Sequence, residues 1–246
     1  MKISIPRLFA LLLIVCTPLI MLGKKVNENR RNFAETISAP VAAPTELTIS
    51  ADQLYSKLDL SGKGISKEAF AYALKGFEKL SENGRLNTDS ILTIIDFTKS
   101  SRQKRLVVID LKTDQVVYNS VVAHGRNTGK EYAKSFSNQP KSHKSSLGFY
   151  ITQETYMGAH GLSLKLDGCE AGINDRARER AIVMHPAAYA GENVIRGKGY
   201  LGRSYGCPAL PPQDSKTIIS KIKNGNCLFV YYPDKKYLEK STLLNG

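Results

Sequence analysis

Cysteine and histidine are both scarce in this chain, with four residues of each among 246. The cysteines form no Cys-x-x-Cys pair, which argues against a zinc ribbon or a thioredoxin-like redox site. The histidines form no His-x-x-x-His pair, and no aspartate stands in a known metallopeptidase pattern, so metal-dependent hydrolysis is disfavoured. The sequence therefore predicts a protein without a metal or any other cofactor.

Acidic residues are outnumbered by basic ones, and the formal net charge is +13. A basic surface suits nucleic acid, an anionic membrane surface or an anionic polymer such as the cell wall. The charges are scattered, no basic stripe alternates with aromatic residues, and no nucleic-acid-binding module is recognisable. We therefore expect a partner in the cell envelope and no nucleic acid.

The N-terminus has the pattern of an export signal. Lys2 and Arg7 precede an apolar stretch that runs from Leu8 to Leu22. Its length of about 15 residues falls short of the roughly 20 that a membrane-spanning helix needs. No clear Ala-x-Ala cleavage site follows, so residues 1–23 are predicted to be either a signal peptide or an uncleaved membrane anchor. We expect an exported protein of the periplasm or cell envelope.

Cysteine usage agrees with export only in part. If Cys16 is removed or embedded in the membrane, Cys169, Cys207 and Cys227 remain, and at least one thiol of the three stays unpaired within the chain. Cys169 and Cys227 either form a disulfide in an oxidising compartment or are two buried small hydrophobic residues.

Composition divides the rest of the chain into three parts. Residues 24–50 are polar and contain two prolines, which predicts a linker. Residues 51–90 are predicted to be helical, with one helix that Ser66 caps and Asn83-Gly84 ends. Its apolar residues recur at helical spacing and are expected to pack against the remaining domain, residues 91–246.

From Ile91 onward the pattern changes to short segments rich in β-branched and apolar residues. Strands are predicted at 91–97, 105–111, 115–123, 148–153, 162–166, 181–185 and 226–232. Residues 112–114 suit a hairpin turn, and one further helix is predicted from Pro212 to Lys223. The predicted fold class is mostly β with few helices.

Cys207 is the candidate nucleophile. It follows Gly202-Arg203-Ser204-Tyr205-Gly206 and precedes Pro208, a context typical of an accessible loop and not of a core strand. A lone cysteine is otherwise more often a buried structural residue. Because Pro208 has no N–H, the donors of an oxyanion hole are expected to be the amides of Gly206 and Cys207.

His185 is the candidate general base. It ends the apolar run Ala181-Ile182-Val183-Met184, so a strand end would fix the ring while its tip faces a cleft. A histidine there can take the thiol proton and later protonate a leaving amine. The alternative is a core histidine that hydrogen-bonds to the backbone.

The chain resembles the murein L,D-transpeptidase subfamily of the YkuD-type superfamily from Ile91 to Tyr232. The matching stretches are Val122-Ala123-His124-Gly125-Arg126-Asn127, Ser145-Ser146-Leu147-Gly148-Phe149-Tyr150, Leu166-Asp167-Gly168 and Gly172-Ile173-Asn174-Asp175, followed by His185 and the stretch Leu201 to Leu210. One departure is Tyr205, which stands where the superfamily usually has histidine. The resemblance implies a β-sandwich-like L,D-transpeptidase catalytic domain.

The resemblance also implies roles for individual residues. It makes Cys207 the nucleophile, His185 the base and Gly206 part of the catalytic loop, and it implies that a backbone carbonyl at Pro186 or Ala187 orients the histidine. Residues expected to contact substrate are Arg203, Ser204, Tyr205, His160 and Asp167. For Arg203 a solvated surface position, and for Asp167 a turn position, remain open alternatives.

The implied substrate is a peptidoglycan tetrapeptide stem. The thiolate would attack the third residue at its bond to D-Ala, and the thioester acyl-enzyme would pass to an amine of another stem as a 3–3 cross-link. One alternative is an L,D-carboxypeptidase, which uses water as acceptor. Another is a catalytically silent envelope protein that binds peptidoglycan, which Tyr205 keeps open. A monomer is expected, attached to the membrane only if the N-terminus is retained.

Overall fold

The structure, a computed structural model, describes residues 50–246. The predicted signal or anchor at 1–23 and almost all of the predicted linker lie outside the described residues. Within 50–246, no helix combines the length and apolar character needed to cross a membrane.

Eight strands form the frame of the described region. They are β1 (Ile91–Asp96), β2 (Leu106–Asp110), β3 (Gln115–Ser120), β4 (Gly148–Gly158), β5 (Gly161–Gly168), β6 (Val183–Pro186), β7 (Ala209–Leu210) and β8 (Cys227–Tyr231). Their order in the sheet is β3-β2-β1-β8-β4-β5-β6-β7. The β1–β8 and β6–β7 pairs are parallel, and the other neighbours are antiparallel. The predicted fold class, mostly β with few helices, is confirmed.

Six α-helices accompany the strands in the described region. They are α1 (Ala51–Lys57), α2 (Lys67–Glu82), α3 (Glu192–Lys198), α4 (Pro212–Ile222), α5 (Lys235–Lys240) and α6 (Thr242–Asn245), with a 3-10 turn at Ala188–Ala190. The predicted caps of α2 are present: the Ser66 side chain accepts from the Ala69 N–H, and Asn83 is the C-cap. The sequence did not predict α3, α5 and α6, which are too short to show a helical period.

Helix α2 packs closely on the sheet. Its buried face includes Phe70 and Phe77, as its helical spacing predicts. A Cβ on Gly76 would lie 2.0 Å from the Phe149 ring, so only glycine allows this approach. Phe149 in turn stacks on Phe229 of β8 at 4.2 Å between ring centroids. The helical segment is therefore part of the same core as the sheet.

The β4–β5 hairpin extends beyond its predicted length. The sequence predicts β4 to end at 153, but a register shift between Thr152 and Thr155 lets the strand continue to Gly158. The added residues alternate between half-buried and exposed and so lack a full apolar face. As a result, the hairpin tip reaches the cleft described below.

Candidate active site

Strands β6 and β7 bring Cys207 and His185 together. They pair in parallel, with His185 opposite Ala209, and the His185 N–H donates to the Pro208 carbonyl at 3.4 Å. Cys207 lies two residues before the start of β7 in this arrangement. The thiol and the imidazole line one cleft of about 570 Å³. Other residues of its wall are Tyr156, His160, Ser163, Arg180, Ala181, Val183, Tyr189, Arg203, Ser204 and Tyr205.

The loop before Cys207 is closed by Ser204. Its hydroxyl accepts from the Gly206 N–H at 3.0 Å and donates to the Cys207 carbonyl at 2.6 Å. Gly206 has φ +129°, and a Cβ there would lie 2.9 Å from the Lys144 carbonyl oxygen. Glycine is therefore required at this position for conformation and for space.

The expected pair of oxyanion donors is reduced to one in this conformation. The Gly206 N–H is already bound to the Ser204 hydroxyl, because the loop turns back on itself at that point. Within residues 50–246, the Cys207 N–H meets no acceptor from another residue. Gly206 thus shapes the loop, and of the two amides only that of Cys207 has no bond to another described residue.

The Cys207 sulfur lies among backbone groups of residues 181–183. It accepts from the Val183 N–H at 3.5 Å, and the thiol donates to the Ala181 carbonyl at 3.6 Å. Burial raises the pKa of the Cys207 thiol, while the Val183 N–H and the Arg180 charge act in the opposite direction. The resting thiol is therefore protonated and faces Ala181 instead of His185.

His185 is held in one orientation by the backbone. Its Nδ1 lies 2.9 Å from the Pro186 carbonyl oxygen, so Nδ1 carries the proton and Nε2 is the basic nitrogen. Burial lowers the pKa of His185, with the Pro186 carbonyl raising it and nearby His160 lowering it further. The His160 ring stacks on His185 at 5.1 Å between centroids. The imidazole is thus neutral and able to accept a proton at neutral pH.

Arg203 and Tyr205 border the same cleft but differ in exposure. Arg203 donates from Nη1 to the carbonyls of Arg126 at 3.3 Å and Gly129 at 3.2 Å. The Tyr205 side chain is 66% exposed, and the Arg126 guanidinium lies over its ring at 4.7 Å. His143 lies 4.7 Å from the Tyr205 ring on the same rim. Arg203 therefore braces a neighbouring loop, whereas Tyr205 presents its ring to solvent.

Asp167 is the predicted site residue that the structure does not bring to the cleft. It forms an ion pair with Arg178 and is absent from the cleft wall. It pairs with Ile151 across the β4–β5 hairpin, before the hairpin reaches the cleft. By contrast, Arg203, Ser204, Tyr205 and His160 all line the cleft with Cys207 and His185.

Sequence reasoning missed the contribution of Arg180 and Ala181. Both line the cleft and both contact or surround the Cys207 loop. Their only signal was position, because Arg180 immediately precedes the apolar run that leads to His185 and Ala181 begins it. Cys169 and Cys227 lie elsewhere, and no disulfide joins any of the cysteines in the described chain.

A sheet domain that holds a cysteine loop and a backbone-anchored histidine in one cleft has the two groups that acyl transfer through a thiol requires. The model of one family, the L,D-transpeptidase catalytic domain, matches residues 61–231, and the chain belongs to this family. The match begins before Ile91 and so includes helix α2. No protein with a curated description matches the chain significantly.

Solved structures similar to the chain include an L,D-transpeptidase from Mycobacterium smegmatis, at 13% identity, 58% of this chain, 59% of that protein and a TM-score of 0.36. L,D-transpeptidase 3 from Mycobacterium tuberculosis shows 10% identity over 58% of this chain and 61% of that protein, with a TM-score of 0.37. The helical cell shape determining protein of Campylobacter jejuni shows 13% identity over 70% of this chain and 61% of that protein, with a TM-score of 0.38. The chain thus spans about three fifths of these proteins.

Proposed function

We propose that this chain is an exported cysteine L,D-transpeptidase that joins peptidoglycan stems through a thioester intermediate. The observation that carries the proposal is the shared cleft of Cys207 and His185, in which Nδ1 is fixed on Pro186 and Nε2 remains basic. Membership of the L,D-transpeptidase family supports the choice of a peptidoglycan stem as the substrate.

In the first half-reaction the thiol turns from Ala181 toward His185 and transfers its proton to Nε2. The thiolate attacks the carbonyl carbon of the third residue of a tetrapeptide stem, and the oxyanion meets the Cys207 N–H. The C–N bond to D-Ala breaks while the imidazolium donates its proton to the leaving amine. The products are free D-Ala and a thioester on Cys207.

In the second half-reaction an amine of another stem attacks the thioester. His185 takes the amine proton and returns it to the sulfur as the C–S bond breaks. The product is a 3–3 cross-link and the regenerated thiol. Water in place of the amine would give a tripeptide, which is the carboxypeptidase outcome.

The decisive experiment is incubation of the full chain with disaccharide-tetrapeptide muropeptides, followed by mass analysis of products. Cross-linked dimers lacking one D-Ala are expected with the wild type and not with Cys207→Ala. Cys169→Ala is the matched control and should retain turnover, because Cys169 lies outside the cleft. Tripeptide alone would identify a carboxypeptidase, and unchanged substrate with measurable binding would identify a silent binding protein.

Export is part of the proposal and rests on the N-terminal pattern of Lys2, Arg7 and the apolar stretch that follows. Fusing residues 1–49 to a reporter that is active only outside the cytoplasm tests it. Activity with the natural segment is expected, and its loss when the apolar stretch carries two inserted arginines provides the control. Activity that survives those arginines would contradict the export role.

A further inference from the structure

Residues 180–183 surround the Cys207 sulfur from one side. The Ala181 carbonyl and the Val183 N–H both contact the sulfur, and Ala181 holds φ +50°, an unusual value for a residue with a side chain. Arg180 precedes this bend, and its Nη2 lies 3.3 Å from the point where a Cβ on Gly206 would stand. The guanidinium therefore lies directly beside the nucleophile loop.

Arg180 carries a positive charge that no carboxylate neutralises. Its guanidinium donates to the Ser137 carbonyl at 2.7 Å, the Lys144 carbonyl at 2.5 Å, the Ser146 hydroxyl at 2.5 Å and the Ser142 hydroxyl at 3.4 Å. All four acceptors are neutral, and in residues 50–246 Arg180 takes part in no ion pair.

Arg178 provides the contrast two positions earlier. It is exposed and pairs with both Asp167 and Glu154, so its charge is already compensated. A half-buried cation without a counterion interacts more strongly with a nearby anion than an exposed, paired one. Of the two arginines, only Arg180 lines the Cys207 cleft.

We propose that Arg180 is a positioning residue that stabilises the thiolate of Cys207 by its charge and holds the 137–146 segment beneath the nucleophile loop. The proposal rests on Cys207 acting as the nucleophile. Tyr205, directly before Gly206 and Cys207, has no charge to offer and its ring is exposed to solvent. Arg180 thus supplies a positive charge beside the nucleophile loop that Tyr205 does not.

Several other titratable groups line the cleft with Arg180. They are His185 of β6, His160 of the β4–β5 hairpin, Tyr189 of the 3-10 turn, and Arg203 and Tyr205 of the nucleophile loop. Burial raises the pKa of the thiol, and Arg180 opposes that rise, as does the Val183 N–H. Removing the Arg180 charge should therefore raise the thiol pKa further.

The test is the rate of Cys207 alkylation by iodoacetamide as a function of pH, with the modified cysteine identified by peptide mass. Arg180→Gln retains hydrogen-bond donors but not the charge. The midpoint of its rate-against-pH curve is expected about one pH unit above that of the wild type, so alkylation near neutral pH should be roughly tenfold slower. Arg180→Lys retains charge and should stay close to the wild type. Arg178→Gln is the matched control and should not shift.

Two further results would overturn the proposal. One is an Arg180→Gln midpoint equal to that of the wild type. The other is an equal shift in Arg180→Lys and Arg180→Gln, which would make the hydrogen bonds to the loop responsible and not the charge. If Arg180→Gln does not fold, Ser146→Ala is the deciding variant, because it removes one hydrogen bond of Arg180 and leaves the Arg180 charge. The alkylation midpoint of Ser146→Ala should equal that of the wild type, and a shift of about one pH unit would refute the proposal.

Because alkylation needs no peptidoglycan, the outcome is separate from the fate of the proposed function. A wild type that alkylates as expected but leaves muropeptides unchanged would refute the function and leave the role of Arg180 intact. A chain that cross-links muropeptides but shows no Arg180 effect would refute only the inference.

Discussion

Arg105 and His124 are joined by a hydrogen bond of 2.8 Å between Nη2 and Nδ1, and both side chains are buried. Arg105 also donates to the Val122 and Lys99 carbonyls, and the His124 Nε2 faces the Gly129 carbonyl at 3.3 Å. His124 is therefore neutral, with its proton on Nε2. Its backbone carbonyl accepts from the Ser204 N–H at 3.0 Å, so this buried pair supports the loop that carries Cys207.

The first prediction concerns stability at acidic pH. Burial and the Arg105 charge lower the pKa of His124 to about 3, whereas an unfolded histidine titrates near 6.5. Between these values the unfolded state binds the additional proton, so this contribution to stability is complete above 6.5 and is lost as pH falls toward 3. The free energy of unfolding, measured with denaturant from pH 7 to pH 4, should fall more steeply in the wild type than in His124→Asn.

His124→Asn should also be less stable at pH 7, because the ring packs edge-on against Phe97 at 5.8 Å between centroids. Other titratable groups contribute equally to the stability of both proteins, so their effects cancel in the comparison. One of them is Glu170, whose pKa is raised by burial and whose contribution to stability is lost as pH rises. Parallel pH curves for both proteins would show that His124 does not gain a proton on unfolding.

The second prediction concerns the nucleophile. Cys207→Ala should abolish muropeptide turnover and change the free energy of unfolding by about 1 kcal/mol or less, since one partly exposed sulfur is removed. Activity and thermal unfolding of the same preparation measure both effects. Turnover that survives in a normally folded Cys207→Ala protein would remove Cys207 from the mechanism.

The third prediction concerns the His160–His185 stack. Burial lowers the pKa of His185, and His160, which stacks on its ring, lowers it further. In His160→Ala the pKa of His185 should rise toward 6.5, as followed by NMR titration of the ring protons. A base must be unprotonated, so the acid limb of kcat/KM should move to higher pH.

His143→Ala is the matched control for this stack. His143 contacts Arg126 and Tyr205 but not His185, so the His185 titration should be unchanged. A His185 pKa that falls in His160→Ala, or moves equally in both variants, would contradict the prediction.

The fourth prediction concerns Gly206. Alanine there must adopt φ +129° and place its Cβ 2.9 Å from the Lys144 carbonyl oxygen. We expect a loss of about 1–3 kcal/mol in stability and at least tenfold in turnover, because Cys207 and its amide are displaced. Gly172→Ala also has positive φ, but its Cβ meets no atom within 4 Å, so it should lose stability with little change in turnover. Equal turnover losses would mean that strain at Gly206 does not reach the site.

The fifth prediction concerns Arg203. Lysine keeps the charge but cannot span the Arg126 and Gly129 carbonyls from a rigid fork. Turnover of tetrapeptide substrate should weaken in Arg203→Lys, while alkylation of Cys207 by a small neutral reagent continues near the wild-type rate. If both rates fall together, Arg203 supports the nucleophile loop and not the substrate; if neither changes, its bonds to the Arg126 and Gly129 carbonyls do not affect the reaction.

Local patterns in the sequence were enough to predict much of the frame. Helix α2 is fixed by its apolar spacing and by Ser66, and α4 by its own apolar period. The turn between β2 and β3 falls at the predicted residues, with Asp114 at φ +49°. These features depend on neighbours a few positions apart, which is the range over which periodicity and caps act.

The site was predictable only in the residues that a loop motif and a strand end mark directly. Cys207 and His185 were named from such marks, and the structure places them in one cleft. Asp167 was named from a motif, but in β5 it forms an ion pair with Arg178 and does not line the cleft. Arg180 carries no local mark, because its role arises from contacts with residues 137–146 and with Gly206.

By itself, the sequence determined the class of fold, the loop that presents a thiol and the histidine at a strand end. Only the tertiary structure decided that position 206 requires glycine, that the Ser204 hydroxyl accepts from the Gly206 N–H, that the resting thiol faces Ala181, and that Arg180, unlike Arg178, has no counterion among the described residues. The physical reason is the distance along the chain over which each effect acts. Propensity and spacing depend on residues a few positions apart, whereas hydrogen-bond partners and charge neutralisation depend on segments that the sheet brings together.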